Sequence, residues 1–213
     1  MTKQDKPENR KHSGVTRRGF FKRASFTVAS AAIVDSGLMD TKEATAAPSS
    51  FVGPGRTPIQ LRINGTERRV EVEPHNTLAE VLRFKLGLTG TKVVCDRGSC
   101  SACTVWLDST PVCSCMMLAV DVGDRAITTI EGLAKGEDLH SVQAAFIEYD
   151  AQQCGYCTPG MVMSCAALLA RNSNPTLEDV QAATSGNLCR CGTYPKVFEA
   201  TLAAAKSIQS GRS

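Results

Sequence analysis

The stretch that decides the fold of this chain reads CDRGSCSACTVWLDSTPVCSC and covers residues 95–115. Four, two and eleven residues separate its spaced cysteines, which are Cys95, Cys100, Cys103 and Cys115. Gly98 permits a tight loop, and the small residues between the cysteines let backbone N–H groups approach the sulfur atoms. After this loop, Thr104 to Leu107 is predicted as a strand that turns and returns through Val112.

The spacing of these cysteines indicates a metal centre. The C-x4-C-x2-C…C arrangement is that of plant-type ferredoxins, in which four thiolates bind a 2Fe-2S cluster. Zinc is the alternative, because four cysteines also bind zinc and close the site. For this first set of four cysteines, the spacing favours the 2Fe-2S cluster.

Upstream of the loop, the sequence predicts a hairpin followed by a helix. Two alternating runs, Pro58 to Ile63 and Glu67 to Val72, flank an Asn64-Gly65 pair, which is the strongest short-range hairpin signal. Thr77 to Leu86 then has the pattern of an amphipathic helix, with a threonine N-cap and a glutamate three residues on. A hairpin with a packed helix is a small α+β unit.

Downstream of the loop, the sequence becomes helical. Helical apolar periodicity occurs in four segments, namely Leu139 to Tyr149, Met161 to Arg171, Pro175 to Ala183 and Pro195 to Ile208. Pro175 is expected in the first turn of its helix, where proline is tolerated. Two cysteine motifs with glycine turns, QCGYCTPG and NLCRCGTYP, lie between these helices.

These two motifs supply a second set of four cysteines. A four-helix arrangement would bring Cys154 and Cys157 close to Cys189 and Cys191, although 31 residues separate the two pairs. Disulfides are the default in an exported protein, but the cysteines within each pair are too close for comfortable bridges. From the spacing alone, zinc and a 2Fe-2S cluster are equal alternatives for this second set.

The first 46 residues have the pattern of an export signal. Arg17 and Arg18 stand in the context TRRGFFK and precede a weakly apolar run, residues 24–38, as in signals of the twin-arginine type. This run is shorter than the roughly 20 residues of a membrane-spanning helix, and Ala44-Thr45-Ala46 supplies the small residues of a cleavage site. The alternative is a disordered tail before a short buried helix.

The charge distribution argues against nucleic acid or an acidic membrane surface as a partner. Nine of the 24 basic and five of the 21 acidic residues lie in residues 1–47, so 15 basic and 16 acidic residues remain elsewhere. That remainder is about neutral and has no nucleotide-type glycine loop. His75 and His140 have no nucleophile or carboxylate pair beside them, which predicts solvated surface roles and no substrate chemistry on this chain.

In this order, the motifs CDRGSCSACTV, QCGYCTPGM and CRCGTYP resemble the two-cluster iron-sulfur subunit of the molybdenum hydroxylases, the xanthine dehydrogenase and aldehyde oxidase family. The resemblance covers about Pro58 to Ile208. The arginine signal and the ending CRCGTYP are similar to the small subunits of exported aldehyde oxidoreductases or isoquinoline 1-oxidoreductases. Ser101 departs from the commoner glycine after the second cysteine, which bears on the environment of the cluster and removes no ligand.

The resemblance implies an α+β fold in which a plant-type ferredoxin-like (β-grasp) domain precedes an all-α four-helix-bundle 2Fe-2S domain. The expected divisions are a twin-arginine signal peptide at 1–46, a linker at 47–57, the ferredoxin-like domain at 58–132 and the helical domain at 133–213. The resemblance also implies a 2Fe-2S cluster in each cysteine set, and it raises this interpretation above zinc for the second set.

The resemblance further implies a function in electron transfer. In such enzymes a large subunit with a molybdenum-pterin cofactor hydroxylates an aldehyde or N-heterocycle, and the electrons leave one at a time through the two clusters. The acceptor is expected to be FAD or haem, in an FAD subunit or a c-type cytochrome. Gln153 and Cys191 are expected to approach the pterin of the partner subunit. The alternative is a free-standing two-cluster ferredoxin-type electron carrier.

The resemblance also accounts for the export signal. Eight reduced thiols would form disulfides in an oxidising compartment before iron and sulfide were inserted. The clusters are therefore expected to be built in the cytoplasm, and the folded, loaded protein is expected to reach the periplasm by the twin-arginine route.

Overall fold

The computed structural model describes residues 53–211. This part of the chain has the predicted α+β class, with a five-stranded mixed sheet followed by helices. The predicted signal peptide, 1–46, and most of the predicted linker, 47–57, lie outside the described residues. Residues 53–56 are exposed and lead into the first strand.

The sheet consists of two hairpins joined by a short strand. Its strands are β1 (Thr57–Ile63), β2 (Thr66–Val72), β3 (Thr104–Leu107), β4 (Thr110–Cys113) and β5 (Ala126–Thr128), in the spatial order β2-β1-β5-β3-β4. Within each hairpin the strands are antiparallel, as are β3 and β5, whereas β1 and β5 run parallel. The alternation pattern did not predict β5, and this strand joins the two hairpins into one sheet.

Both predicted hairpin turns form with left-handed backbone. Asn64 and Gly65 have φ angles of 50° and 77°, which is the conformation of a type I′ turn. Asp108 and Ser109 also have positive φ angles, 47° and 69°, although neither is glycine. The carboxylate of Asp108 accepts a hydrogen bond from the backbone N of Ala126 at 2.9 Å. This contact anchors the second turn to β5.

The helix after the first hairpin begins at its predicted cap and then changes geometry. α1 (Leu78–Glu80) has a complete capping box, because Thr77 Oγ1 accepts from the Glu80 backbone N at 3.2 Å and the Thr77 backbone N donates to the Glu80 carboxylate at 2.8 Å. Val81–Lys85 continues as a wider π-helical turn. The predicted helix is therefore present but is not a regular α-helix throughout.

Aliphatic side chains from the sheet and from α1 form one hydrophobic core. Its central members are Leu61, Ile63, Val72, Leu78, Val81, Leu82, Val105, Leu107 and Ile127. Each fully buried side chain of this size stabilises a fold by about 1.5–3 kcal/mol relative to its exposed state. This core supports the loop that carries the first cysteine set.

The second half of the described chain contains four helices. They are α2 (Ser141–Glu148), α3 (Thr158–Arg171), α4 (Leu177–Thr184) and α5 (Tyr194–Gln209). Their buried faces form a second hydrophobic core, built mainly from alanine, methionine and valine side chains of α2, α3 and α5. The four predicted helical segments are thus present, with shifted ends.

Two predictions at helix starts are wrong. Pro175 lies outside α4, because Thr176 is the N-cap and its hydroxyl accepts from the Asp179 backbone N at 3.2 Å. His140 was expected at the solvated surface, but it is half-buried and caps α2, where its Nδ1 accepts from the Val142 backbone N at 3.2 Å. A histidine can replace the usual oxygen acceptor at this position because its neutral ring carries one unprotonated nitrogen.

The sheet and the helices meet at β3 and α3. Trp106 of β3 packs against the helical core, and its indole N–H donates to the backbone O of Met163 at 2.9 Å. The two hydrophobic cores are therefore joined by a side-chain hydrogen bond as well as by apolar contact.

Candidate functional site

The four cysteines of the first set form two pairs in the structure. The thiol of Cys95 interacts directly with that of Cys100, and the thiol of Cys103 with that of Cys115. Three of the four are buried, whereas Cys95 is partly exposed. Cys103 and Cys115 pack against Ala79 of α1, so the capped helix forms one wall of this site.

The pKa values of the paired thiols Cys95 and Cys100 shift in opposite directions. A hydrogen bond from the backbone N–H of Arg97 is the main reason that the pKa of Cys95 falls to about 7. Burial raises the pKa of Cys100 and of Cys103. A bound cation would supply the positive charge that ionises such buried thiols, since thiolates are the form that binds metal.

The loop of the first set is held by its own backbone. Gly98 has a φ angle of 71°, and a Cβ at this position would lie 2.9 Å from Cγ of Met116, so the loop path requires glycine. Ser101 also has a positive φ, 53°. Its carbonyl accepts from the backbone N and the hydroxyl of Thr104, at 3.3 and 2.7 Å.

Two further cysteines are outside both sets. Cys113 lies beside the first loop, where its Sγ is 3.8 Å from the carbonyl of Gly98 and 3.7 Å from the hydroxyl of Ser101. Cys165 is buried on α3, and burial raises its pKa to about 12. Its thiol interacts with the hydroxyl of Thr201 on α5, which fits a structural role.

The structure also brings the second cysteine set together. The thiol of Cys157 interacts with that of Cys189, and the thiol of Cys191 with that of Cys154. Electrostatic interactions of Cys157 with Cys154 and of Cys191 with Cys189 complete the group. Cys157 directly precedes α3, and the other pair lies between α4 and α5. Two cysteine pairs with 31 residues between them thus form one site, as the helical arrangement predicted.

Burial and hydrogen bonding act in opposite directions in the second set. Burial raises the pKa of Cys157 to about 12. Burial also disfavours the thiolate of Cys189, but hydrogen bonds from Thr193 outweigh it and lower its pKa to about 7, with the two side chains 3.2 Å apart. Cys154 and Cys191 are exposed, so one edge of this set lies at the protein surface.

The paired arrangement fits a 2Fe-2S cluster. Each of its two irons takes two of the four thiolates, whereas structural zinc gathers four ligands around one ion. Within residues 53–211, no three His, Cys, Asp or Glu side chains surround a single metal position. The assignment of the eight cysteines as ligands stays a prediction, and the pairing is the geometry that it requires.

The two cysteine loops touch each other. The backbone N of Leu188 donates to the carbonyl of Cys100 at 3.1 Å, and the side-chain amide of Asn187 donates to the carbonyl of Ser101 at 3.2 Å. Gly160 of α3 approaches the same carbonyl so closely that a Cβ would lie 2.2 Å from it. The cysteine spacing did not point to a role for these residues, although Asn187 and Leu188 stand in the motif NLCRC.

Exposed side chains border the accessible edge of each set. Tyr156 and Leu188 are more than half exposed beside the second set, and Val94 and Met116 are more than half exposed beside the first. Gln153 is exposed, and its amide has no hydrogen-bond partner among residues 53–211. No helix in this same part of the chain is long and apolar enough to cross a membrane.

Two protein-family definitions match this chain. Residues 61–134 match the 2Fe-2S iron-sulfur cluster binding domain, and residues 129–202 match the 2Fe-2S binding domain. The first match contains the loop at 95–115, and the second contains both motifs of the second cysteine set. The chain therefore contains two domains that bind 2Fe-2S clusters.

Characterised proteins resemble this chain over most of its length. The aldehyde oxidoreductase iron-sulfur-binding subunit PaoA of Escherichia coli (strain K12) is 36% identical over 211 residues, which cover 92% of this chain and 90% of PaoA. The nicotinate dehydrogenase small FeS subunit of Eubacterium barkeri is 44% identical over 142 residues, or 67% of this chain and 90% of that subunit.

A solved structure shares both the fold and the sequence. A chain of quinoline 2-oxidoreductase from Pseudomonas putida 86 superposes with a TM-score of 0.70 at 41% sequence identity. The superposition covers 74% of this chain and 99% of the other. Fold and sequence agree over nearly the whole of that chain.

Proposed function

This chain belongs to the 2Fe-2S small subunits of the molybdenum hydroxylase family. From that premise we propose the path that electrons take through it. They come from a molybdenum-pterin cofactor in a large partner subunit, pass through two 2Fe-2S clusters and reach an acceptor outside this chain. The substrate on the large subunit is an aldehyde or an N-heterocycle. PaoA, which matches 92% of this chain, is named an aldehyde oxidoreductase subunit.

One observation carries this proposal: two sets of paired thiols lie in loops that hydrogen-bond to each other. The contact from Leu188 to Cys100 is 3.1 Å long. Each 2Fe-2S cluster accepts one electron, so two adjacent clusters suit a reaction that delivers two electrons and must release them singly. The first set is Cys95, Cys100, Cys103 and Cys115, and the second is Cys154, Cys157, Cys189 and Cys191.

The large subunit is proposed to dock at the edge of the second set. Cys191 and Cys154 are exposed there, next to Tyr156. The amide of Gln153 can donate and accept hydrogen bonds at once, which suits the mixed edge of a pterin. The alternative role for Gln153 is to cap the helix turn around the cluster. The N-cap residue of α3 is Cys157, which makes no side-chain hydrogen bond, and this favours the pterin contact.

The electron acceptor is proposed to approach the first set. Cys95 is the partly exposed member of that set. The exposed side chain of Val94 precedes it in the sequence, and the exposed side chain of Met116 lies against Gly98 of the same loop. An apolar border around a redox centre suits contact with another protein, since it excludes water from the interface. The acceptor is an FAD subunit or a c-type cytochrome.

The finer fold proposal is a β-grasp ferredoxin-like domain at 58–132 and a four-helix-bundle domain at 133–213. Two hydrophobic cores support this division, since the buried members of the first all lie between Leu61 and Ile127 and the second is built mainly on the helices after Leu133. Trp106 and Ile130 are the partly buried residues of the sheet half that pack against the helical core.

Purification of the native complex tests the function. We expect this chain to copurify with a much larger molybdenum-containing chain. The purified complex should contain about four irons per copy of this chain. Partial reduction should give two separable rhombic EPR signals at low temperature. Zinc in place of iron in the second set would refute the two-cluster proposal. A chain that carries both clusters but purifies alone would favour the free-standing two-cluster ferredoxin.

The pterin contact is tested by Gln153→Ala, with Gln152→Ala as a matched control because Gln152 is its exposed neighbour. We expect Gln153→Ala to keep both clusters and subunit assembly, but to slow reduction of the second cluster by substrate or to lower the molybdenum content. Rapid-mixing kinetics and molybdenum content equal to those of the control would rule out this contact.

Export to the periplasm by the twin-arginine route is part of the proposal, and it rests on Arg17 and Arg18, outside the described residues. Changing both to lysine preserves charge and should retain the loaded complex in the cytoplasm. Arg10→Lys with Arg23→Lys makes the same number of changes in the same segment and should leave export intact. Periplasmic activity at the control level in the Arg17/Arg18 variant would contradict this route.

A further inference from the structure

Thr193 directly precedes α5, and its hydroxyl group does not cap that helix. A threonine at the N-cap ordinarily accepts a hydrogen bond from the backbone N–H two or three residues further on, but Thr193 makes no such side-chain bond. Pro195, two residues on, has no backbone N–H to donate. Only 6% of the surface of Thr193 is exposed. A buried hydroxyl of this kind requires another hydrogen-bond partner.

That partner is Cys189 of the second set. Oγ1 of Thr193 lies 3.2 Å from Sγ of Cys189. A cysteine that binds iron is a thiolate without a hydrogen, so the hydroxyl is the donor when a cluster is bound. The backbone N–H groups of Gly192 and Thr193 also hydrogen-bond to this sulfur. Three donors from two adjacent residues therefore converge on one sulfur atom.

The start of α5 also fixes the backbone of Cys189. The backbone N of Cys189 donates to the hydroxyl of Tyr194 at 2.8 Å, and that hydroxyl donates to the carbonyl of Asn187 at 3.1 Å. Tyr194 is the first residue of α5 and directly follows Thr193. Because the same helix start holds both the backbone and the sulfur of Cys189, the contact from the Thr193 hydroxyl has a defined geometry.

Two hydroxyl groups beside the first set donate to backbone oxygens. Ser114 Oγ donates to the carbonyl of Cys103, and Thr104 Oγ1 donates to the carbonyl of Ser101, each at 2.7 Å. Neither acceptor is the sulfur of a predicted ligand. The first set therefore provides an internal comparison, in the same chain, for an effect of Thr193 on the second set.

We propose that Thr193 raises the reduction potential of the 2Fe-2S cluster bound by the second set, through the hydrogen bond from its hydroxyl to Sγ of Cys189. Reduction adds one negative charge to the cluster and its thiolates, so a donor on the sulfur stabilises the reduced form more than the oxidised form. In this step one electron from the molybdenum-pterin cofactor of the partner subunit, which is oxidised, reduces an iron of the second set. No covalent bond forms or breaks, and the hydroxyl hydrogen stays on Thr193.

This inference rests on the proposed function, so the experiment begins with the unaltered complex. Iron content and two EPR signals establish that both clusters are present, and their absence would count against the function. A redox titration followed by EPR then gives the midpoint potential of each cluster in the same preparation.

The variants separate the hydroxyl from the rest of the side chain. Thr193→Val replaces the hydroxyl by a methyl group of similar size, and Thr193→Ser keeps the hydroxyl and removes the methyl group. Thr201→Val is the matched control, because Thr201 is a buried threonine of the same helix whose hydroxyl donates to the carbonyl of Val197 at 2.7 Å. Thr193→Ala is a second variant without the hydroxyl, for use where Thr193→Val does not load the second cluster.

We expect Thr193→Val to shift the equilibrium between the two clusters about tenfold away from the reduced second cluster, which is a fall of about 59 mV in its midpoint potential. The potential of the first cluster should not change. Thr193→Ser and Thr201→Val should keep both potentials of the unaltered complex.

Three results would overturn the proposal. The first is an unchanged potential of the second cluster in a loaded Thr193→Val or Thr193→Ala variant. The second is an equal shift in Thr201→Val, which would indicate a general loosening of α5. The third is failure of both Thr193→Val and Thr193→Ala to load the second cluster, which would show that this residue serves assembly and does not set the potential.

Discussion

Replacement of Gly160 by alanine should push the loop of the first cysteine set away from α3. A Cβ at this position would lie 2.2 Å from the carbonyl oxygen of Ser101 and 3.0 Å from Cα of Ala102, whereas ordinary contact begins at 3.4 Å. The carbonyl must therefore retreat by about 1.2 Å, the difference between 3.4 and 2.2 Å. Because both neighbouring atoms belong to the backbone, no side-chain rotation can relieve the clash.

The expected cost of Gly160→Ala follows from two opposing effects. Overpacking of this kind lowers the free energy of unfolding by about 1–3 kcal/mol. Alanine in place of glycine in a helix raises it by up to about 1 kcal/mol. Because the clash is with backbone atoms, we expect a cost near the upper end of that range and a net loss of about 2 kcal/mol, the difference between about 3 and about 1 kcal/mol. For a protein of this size each kcal/mol lowers the melting temperature by about 2–4 °C.

Thermal unfolding of the loaded protein measures this cost. Ala170→Gly is a suitable companion, because Ala170 is an exposed position of the same helix and reports the propensity effect alone. Gly160→Ala should also alter the EPR signal of the first cluster, since the displaced carbonyl belongs to its loop, whereas Ala170→Gly should not. A melting temperature equal to or above that of the unaltered protein would refute the close-contact argument.

Three further predictions concern single side chains. Cys113→Ser should keep the first cluster and Cys115→Ala should lose it, as judged by EPR and iron content; loss in the former would mean that the fourth ligand is misassigned. Burial lowers the pKa of His140 below 6.5, so its stabilising neutral cap is complete above that pH and is lost as pH falls through the lowered pKa. His140→Asn keeps a capping acceptor that does not titrate, so its melting temperature should fall less than that of the unaltered protein between about pH 7 and pH 5. Trp106→Phe removes the hydrogen bond to α3 and should cost about 1 kcal/mol in thermal unfolding; no change would show that the bond contributes nothing.

Local signals in the sequence were sufficient to predict those features of the fold that a short segment of chain determines by itself. The Asn64-Gly65 pair predicts its own turn, because both residues tolerate the left-handed backbone that a two-residue hairpin needs. The capping box at Thr77 is likewise complete within four residues. The close spacing of the cysteines in the first loop likewise predicts a compact site, because these cysteines are near one another in the sequence.

Features that depend on distant partners could not be predicted in this way. β5 has only three residues, too few to display an alternating pattern, and it exists because β1 and β3 provide partners on both sides. The hydrogen bond from Asn187 to Ser101 joins positions 86 residues apart. Nothing near either residue in the sequence indicates this contact, which depends on the packing of α3 against the sheet.

Trp106 gives the protein an internal optical probe. It is the single tryptophan in the sequence, so all indole fluorescence of the chain arises at the junction of β3 and α3. Separation of the helical half from the sheet would expose this ring to water and shift its emission to longer wavelength. The undocking of the two halves can therefore be followed in real time without an attached dye, and separately from the visible absorbance that reports the loss of iron.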